Sequence, residues 1–227
     1  MQMRWRILAS TTLAMSLIAS GSVAANAHEV NASSGDVQLF VRHDGKPTRI
    51  DASTMSAYTF DLTEPAVDSP ASSRLIGWDQ WFGCFSLNHR DDVFSTYTHY
   101  WDGVGHDIRL KCGEGDAYSG WGYKHIRAKH EGDWQSKLDA ARQRGWNSAS
   151  QGVESWDDLM AGAIGEVTWW PDVKQGNAAA QTTCAISELM FVNTRTGEIV
   201  YSFYARVGWA NNNDRVITAF PQSTLRC

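Results

Sequence analysis

Much is missing from this 227-residue sequence. No segment recurs at a fixed period, which excludes a solenoid or a propeller. After residue 27, no stretch is apolar for the ~20 residues that a membrane-spanning helix needs. Neither sign of charge dominates strongly: 20 Lys+Arg stand against 25 Asp+Glu, a net −5. A chain of that balance does not coat DNA without regard to sequence. There is no G-x-S-x-G, no P-loop, no H-E-x-x-H and no C-x-x-C, so the short signatures of serine hydrolases, phosphate-loop enzymes and zinc proteases are absent. What is present is a hydrophobic fraction of 43%, too high for a disordered chain. At 25.2 kDa the length suits one domain, or one with a short appendage, able to bury a core without relying on metals or disulfides.

The first 27 residues read as a secretory signal. Arg4 and Arg6 make a positive start, Ile7 to Ile18 is mostly apolar, and Ala25-Asn26-Ala27 fits the small-x-small rule for cleavage after Ala27. Without that segment the chain carries −7, because both of its charges are positive. Four cysteines follow, Cys84, Cys112, Cys184 and Cys227. An oxidising compartment would pair them. Three pairings are possible; Cys84–Cys112 and Cys184–Cys227 are favoured because each bond then stays within one half of the chain. The wide spacing makes a zinc site the weaker reading, and neither metal nor cofactor is expected. The localisation expected is extracellular, with no membrane contact, as a monomer.

Pattern then suggests elements. Val37 to Arg42 reads as a strand turned by Asp44-Gly45. Residues 61 to 74 hold Pro65, Pro70 and several serines and read as a loop or linker. Trp78 to Phe85 is aromatic and partly buried. Phe94 to Tyr100 and His106 to Cys112 alternate and form a hairpin. Gly113 to Gly122 is a glycine loop. Tyr123 to Arg144 is helical, with Trp134, Leu138 and Ala141 in one stripe. A second helix starts at Ser155, which caps it, with Asp157 and Asp158 at the positive end of its dipole. Cys184–Val192, Ile199–Val207 and Arg215–Phe220 follow as three strands. Helices before an antiparallel meander argue for an α+β fold with the helices on one face of the sheet. The expected organisation is a signal peptide (1–27), a β-rich N-terminal extension (28–75) and an α+β domain (76–227).

Chemistry concentrates at Lys124-His125-Ile126-Arg127-Ala128-Lys129-His130. The same run also reads as a solvated, charged helix face. On a continuous helix His125 and His130 point about 140° apart, so a paired role calls for a bend or an end near Gly132; His125 and Lys129 are one turn apart. Two imidazoles suit RNA cleavage through the 2′-hydroxyl, one as base and one as acid, with a cation on the phosphorane oxygens. Arg206 can pair with a phosphate and Thr218 can donate to one, although both residue types are also ordinary in strands. A carboxylate pair among Glu114, Asp116, Glu131 and Asp133 is not selected by spacing.

The run Gly122-Tyr123-Lys124-His125-Ile126 with Lys129-His130, Trp134 after it, and the terminal Val216-Ile217-Thr218-Ala219-Phe220-Pro221, resembles the barnase/EndoU/colicin/RelE-like group of secreted bacterial toxin nucleases. The resemblance runs from Gly120 to the C terminus. It implies a helix-then-sheet core and an endoribonuclease. His125 and His130 match the group's two histidines, Thr218 its late hydroxyl and Lys124 its basic residue beside the first histidine. Arg206 corresponds by strand position, and Lys129 joins Lys124 and Arg206 on the phosphate. The partners implied are RNA and an immunity protein. Residues 28 to 119 have no counterpart in the group, and the mature chain is acidic. Ten tryptophans after residue 27 fit a core, the stacking of RNA bases or the stacking of sugars. The last defines a competing class, a secreted carbohydrate- or cell-wall-binding module without catalysis. A disulfide-held inhibitor acting through one loop is a third.

Overall fold

The computed structural model describes residues 35–43, 45–59, 75–100 and 105–227. The signal segment, Asp44 of the expected turn, the whole 61–74 stretch and the 101–104 turn lie outside the described residues. In chain order the elements are β1 (Val37–His43), β2 (Lys46–Arg49), α1 (Ala52–Thr59), α2 (Trp78–Phe85), β3 (Val93–Tyr100), β4 (Gly105–Lys111), β5 (Glu114–Gly115), β6 (Gly120–Trp121) and α3 (Gly122–Arg142). A short 3-10 turn (Ser148–Gln151) leads to α4 (Trp156–Trp169), then β7 (Val173–Asn177), β8 (Thr182–Asn193), β9 (Glu198–Ala210) and β10 (Arg215–Gln222). Among the described residues this is a mixed α+β fold of four helices and an eight-stranded, mostly antiparallel sheet in the order β2-β1-β8-β9-β10-β4-β3, with β7 also paired to β8.

The meander β8-β9-β10 is the centre of the sheet. Strand alternation sends Ala185, Leu189 and Phe191 of β8, with Phe203, Ala205 and Val207 of β9, into one core. Trp134 of α3 meets Phe203 edge-on at 6.0 Å, and Trp146 meets Phe191 at 4.7 Å. β4 and β10 pair in parallel through a single register position, Arg215↔Arg109. Farther along, α3 packs on β10. There the indole Nε1–H of Trp134 donates to the Ala219 carbonyl at 3.1 Å, so a polar group left over at a strand edge is satisfied by a side chain.

Every residue of α4 from Trp156 to Thr168 is buried. The helix touches β8 and β9 in mid-sheet and also β3 at the end of the strand order, so the sheet curls around it. Small residues permit this approach: a Cβ at Gly162 would run into the Met55 thioether. The start of α4 carries the expected cap, with Ser155 Oγ accepting from the Asp158 backbone and Asp158 Oδ2 accepting from the Glu154 and Ser155 amides at 3.0 Å. Burial raises the Asp158 carboxyl to about 6.

The N-terminal β-hairpin joins the main sheet: β1 pairs with β8 from Val37↔Asn193 to Val41↔Leu189. Buried Gln151 secures it, accepting from Leu39 N at 2.7 Å and donating to the Leu39 and Ile50 carbonyls. The histidine-bearing helix neither bends nor ends near Gly132; α3 is continuous from Gly122 to Arg142. Disulfides join Cys84 to Cys112 and Cys184 to Cys227.

Candidate active site

The loop before α3 is a tight two-strand turn. Glu114 pairs with Trp121 and Gly115 with Gly120. Gly115 (φ 105°) and Gly120 (φ 142°) adopt backbone that L-residues rarely reach, and a Cβ on either would strike the opposite strand. Asp116 closes the turn, Oδ1 accepting from the Tyr118 amide at 2.7 Å and the Ser119 amide at 3.0 Å. Those donors hold its carboxyl below the usual range. Its backbone carbonyl faces α3 and accepts from His125 Nδ1 at 2.7 Å. A carbonyl only accepts, so Nδ1 of His125 carries a proton and Nε2 is the nitrogen left for proton exchange.

His130 is fixed by a different partner, donating from Nδ1 to Asp133 Oδ2 at 2.9 Å. Its ring lies on that of Phe220, 4.7 Å between centroids and 17° from parallel. Burial lowers the His130 pKa, and the Asp133 carboxylate opposes that shift. The two imidazoles approach edge to face, 6.4 Å between centroids. Five residues of ideal helix separate Cα atoms by about 8.6 Å, so the rings need only lean towards one another. Both residues are largely buried, 6% and 8% exposed. Yet among the described residues neither Nε2 has a hydrogen-bond partner.

The remaining sequence candidates divide. Lys129 is exposed, and its charge acts on His130. Lys124 turns the other way, donating to Asn88 Oδ1 at 2.7 Å and lying 5.7 Å from the Phe85 ring centroid. Arg127 also faces Phe85, at 5.0 Å, and pairs with Glu131. Arg206 and Thr218 line a cavity of about 270 Å³ on the far side of the sheet, with Gly208, Thr183 and the Cys184–Cys227 bond among its walls. No histidine lines it. A bulge explains the placement. Val216 pairs with Trp209 and faces the core, but the register shifts before Thr218, which pairs with Gly208. Ala219 is thereby buried, while Thr218 and Phe220 point to the other face. Thr218 Oγ1 and Arg206 Nε are buried there without a partner.

One ring connects the two places. The Arg206 guanidinium lies 5.5 Å from the centroid of Phe220, the ring on which His130 stacks. Phe220 was not a sequence candidate, and nothing in its type marks it. Asp133 had a readable signal, since i and i+3 are neighbours on a helix. Asp116 acts through its main chain, which sequence does not advertise. Of the other acids weighed, Glu114 accepts from Trp121 Nε1 and pairs with Arg90 at 3.0 Å.

Comparison with known proteins adds distant relatives. Two proteins of Mycobacterium tuberculosis, named "Uncharacterized protein MT0764" (strain CDC 1551) and "Uncharacterized protein Rv0739" (strain H37Rv), are each 27% identical to this chain over 147 residues, 63% of its length. The chain matches only about half the length of these relatives, 50%. No family model and no solved structure matches the chain.

Proposed function

We propose that the chain is an exported endoribonuclease that cleaves RNA by attack of the 2′-hydroxyl, with His130 as base and His125 as acid. The observation that carries this reading is the paired imidazoles, each tied at Nδ1 and each with Nε2 left without a hydrogen-bond partner among the described residues. Burial favours the neutral form of His130, which suits a base. Asp116, held ionised by backbone donors and attracted to the His125 charge, lies beside the acid. In the first step His130 Nε2 takes the 2′-OH proton, the 2′-oxygen bonds to phosphorus, and the bond from phosphorus to the 5′-oxygen breaks. His125 Nε2–H protonates the departing 5′-oxygen, leaving a 2′,3′-cyclic phosphate and a 5′-hydroxyl. Lys129 offsets charge on the phosphorane oxygens, and two imidazoles suffice without a metal. The Arg206–Thr218 cavity, on the other side of Phe220, takes a flanking phosphate. Export fits the signal-like N terminus and the two disulfides. The protein acts as a monomer, and an immunity partner serves a producer only if the enzyme folds before export.

The test is purified mature protein on labelled RNA of varied sequence in EDTA, beside His125→Ala and His130→Ala. Cleavage by the wild type with a 2′,3′-cyclic end, and its loss in both variants, is expected. Undiminished cleavage by both variants ends the site assignment, and an inert wild type ends the nuclease reading.

A further inference from the structure

Tyr118 is the most exposed aromatic side chain among the described residues, at 93%, but it stands alone; a stacked group of exposed rings lies on α2. Its sequence Trp78-Asp79-Gln80-Trp81-Phe82-Gly83-Cys84-Phe85 stacks three rings along the helix. Trp78 lies over Trp81 at 5.4 Å and 15°, and Trp81 over Phe85 at 5.5 Å and 29°. The inner end is closed by Arg127 and Lys124 against Phe85. The outer end is open: Trp78 is 71% exposed and Phe82, tilted beside it at 6.3 Å, is 43% exposed. An eight-residue helix is not stable by itself. This one is held by the Cys84–Cys112 disulfide, which ties it to the end of β4. A stiffened ladder that leaves its last indole in water is already ordered for a flat ligand, so little entropy is lost when one binds.

The charges nearby decide the kind of ligand. Single-stranded nucleic acid needs a positive groove along its backbone. Among the described residues around α2 the arginines are already neutralised, Arg127 by Glu131 and Arg90 by Glu114 and Asp91. Lys111 is paired with Asp91, and Lys124 alone has a neutral partner, Asn88. Asp79, next to Trp78, is exposed and has no hydrogen bond or ion pair among the described residues. A bare carboxylate repels phosphate but accepts hydrogen bonds from hydroxyls. We infer that the α2 ladder is a docking platform for an uncharged, β-linked polysaccharide, whose flat C–H faces stack on Trp78 while a sugar hydroxyl donates to Asp79. The platform is independent of the nuclease reading and would hold the protein at a polysaccharide surface.

The experiment is depletion of the purified chain from solution by insoluble chitin and by cellulose, with Trp78→Ala, Asp79→Ala and His125→Ala beside the wild type. Trp78 and Asp79 are on the surface, and circular dichroism confirms that their variants fold. Expected are retention of the wild type and of His125→Ala on at least one solid, a loss of tenfold or more in affinity for Trp78→Ala, and a smaller loss for Asp79→Ala. No retention on either solid, or equal retention of Trp78→Ala, overturns the proposal. So does light scattering that shows a dimer which Trp78→Ala dissolves, or single-stranded RNA binding that depends on Trp78. RNA cleavage by Trp78→Ala stays at the wild-type level.

Discussion

Two places flank Phe220, and they are built on opposite plans. On the α3 side, His125 and His130 have fixed partners at Nδ1, a main-chain carbonyl and a carboxylate. On the far side of the sheet, Thr218 Oγ1 and Arg206 Nε are buried with none. Partnered rings have a settled proton position and orientation, which is what proton transfer requires. Unpartnered buried polar atoms carry a desolvation penalty, about 1–3 kcal/mol each, that a ligand relieves. On the proposed reading, the difference suits one place to proton transfer and the other to anion retention.

The largest effects should fall on the histidines. His125→Ala and His130→Ala should each lower turnover on labelled RNA by roughly 10²–10⁴-fold. An equal loss from Arg206→Gln would erase the contrast. Next come the disulfides. Replacing Cys184 and Cys227 by serine should cost about 2–4 kcal/mol in urea unfolding, as should replacing Cys84 and Cys112. Only the first pair should also raise KM, because that bond is part of the cavity wall. A smaller effect is expected for Arg206→Gln: KM up about tenfold, or about 1.4 kcal/mol, with kcat unchanged. A fall in kcat at constant KM would put Arg206 with the chemistry instead. The smallest is a shift in pH. Burial lowers the His130 pKa and Asp133 raises it, so Asp133→Asn removes the opposing influence and lowers it further. A base must be unprotonated, so the acid limb of kcat/KM should move to lower pH. Movement to higher pH would show that His130 is not the base.

The elements that were legible are those whose residues carry their own pattern. Alternation exposes β8, β9 and β10, and Ser155 with Asp158 announces the start of α4. β7 was missed because Val173–Asn177 is a mostly exposed polar strand with nothing to alternate. α2 read only as aromatic and partly buried, since its rings stack on each other while Trp81 and Phe85 also pack against the core. The curl of the sheet depends on β3 reaching α4, a contact between distant parts of the chain. The site was half legible. The helical wheel keeps the two histidines apart by backbone angle, whereas side-chain reach brings them together. Strict alternation would put Thr218 on the side of Val216, and one inserted residue at the bulge sends it to the other.

The turn that carries Asp116 has a consequence for how variants will be tolerated. What orients His125 is a main-chain oxygen, so Asp116→Asn retains the acceptor. Lengthening the loop by one residue, or giving Gly115 a methyl group, displaces that oxygen while every titrating side chain survives. A mutational scan should therefore find permissiveness at an acid beside the imidazole and strict demand at positions that contribute no functional group.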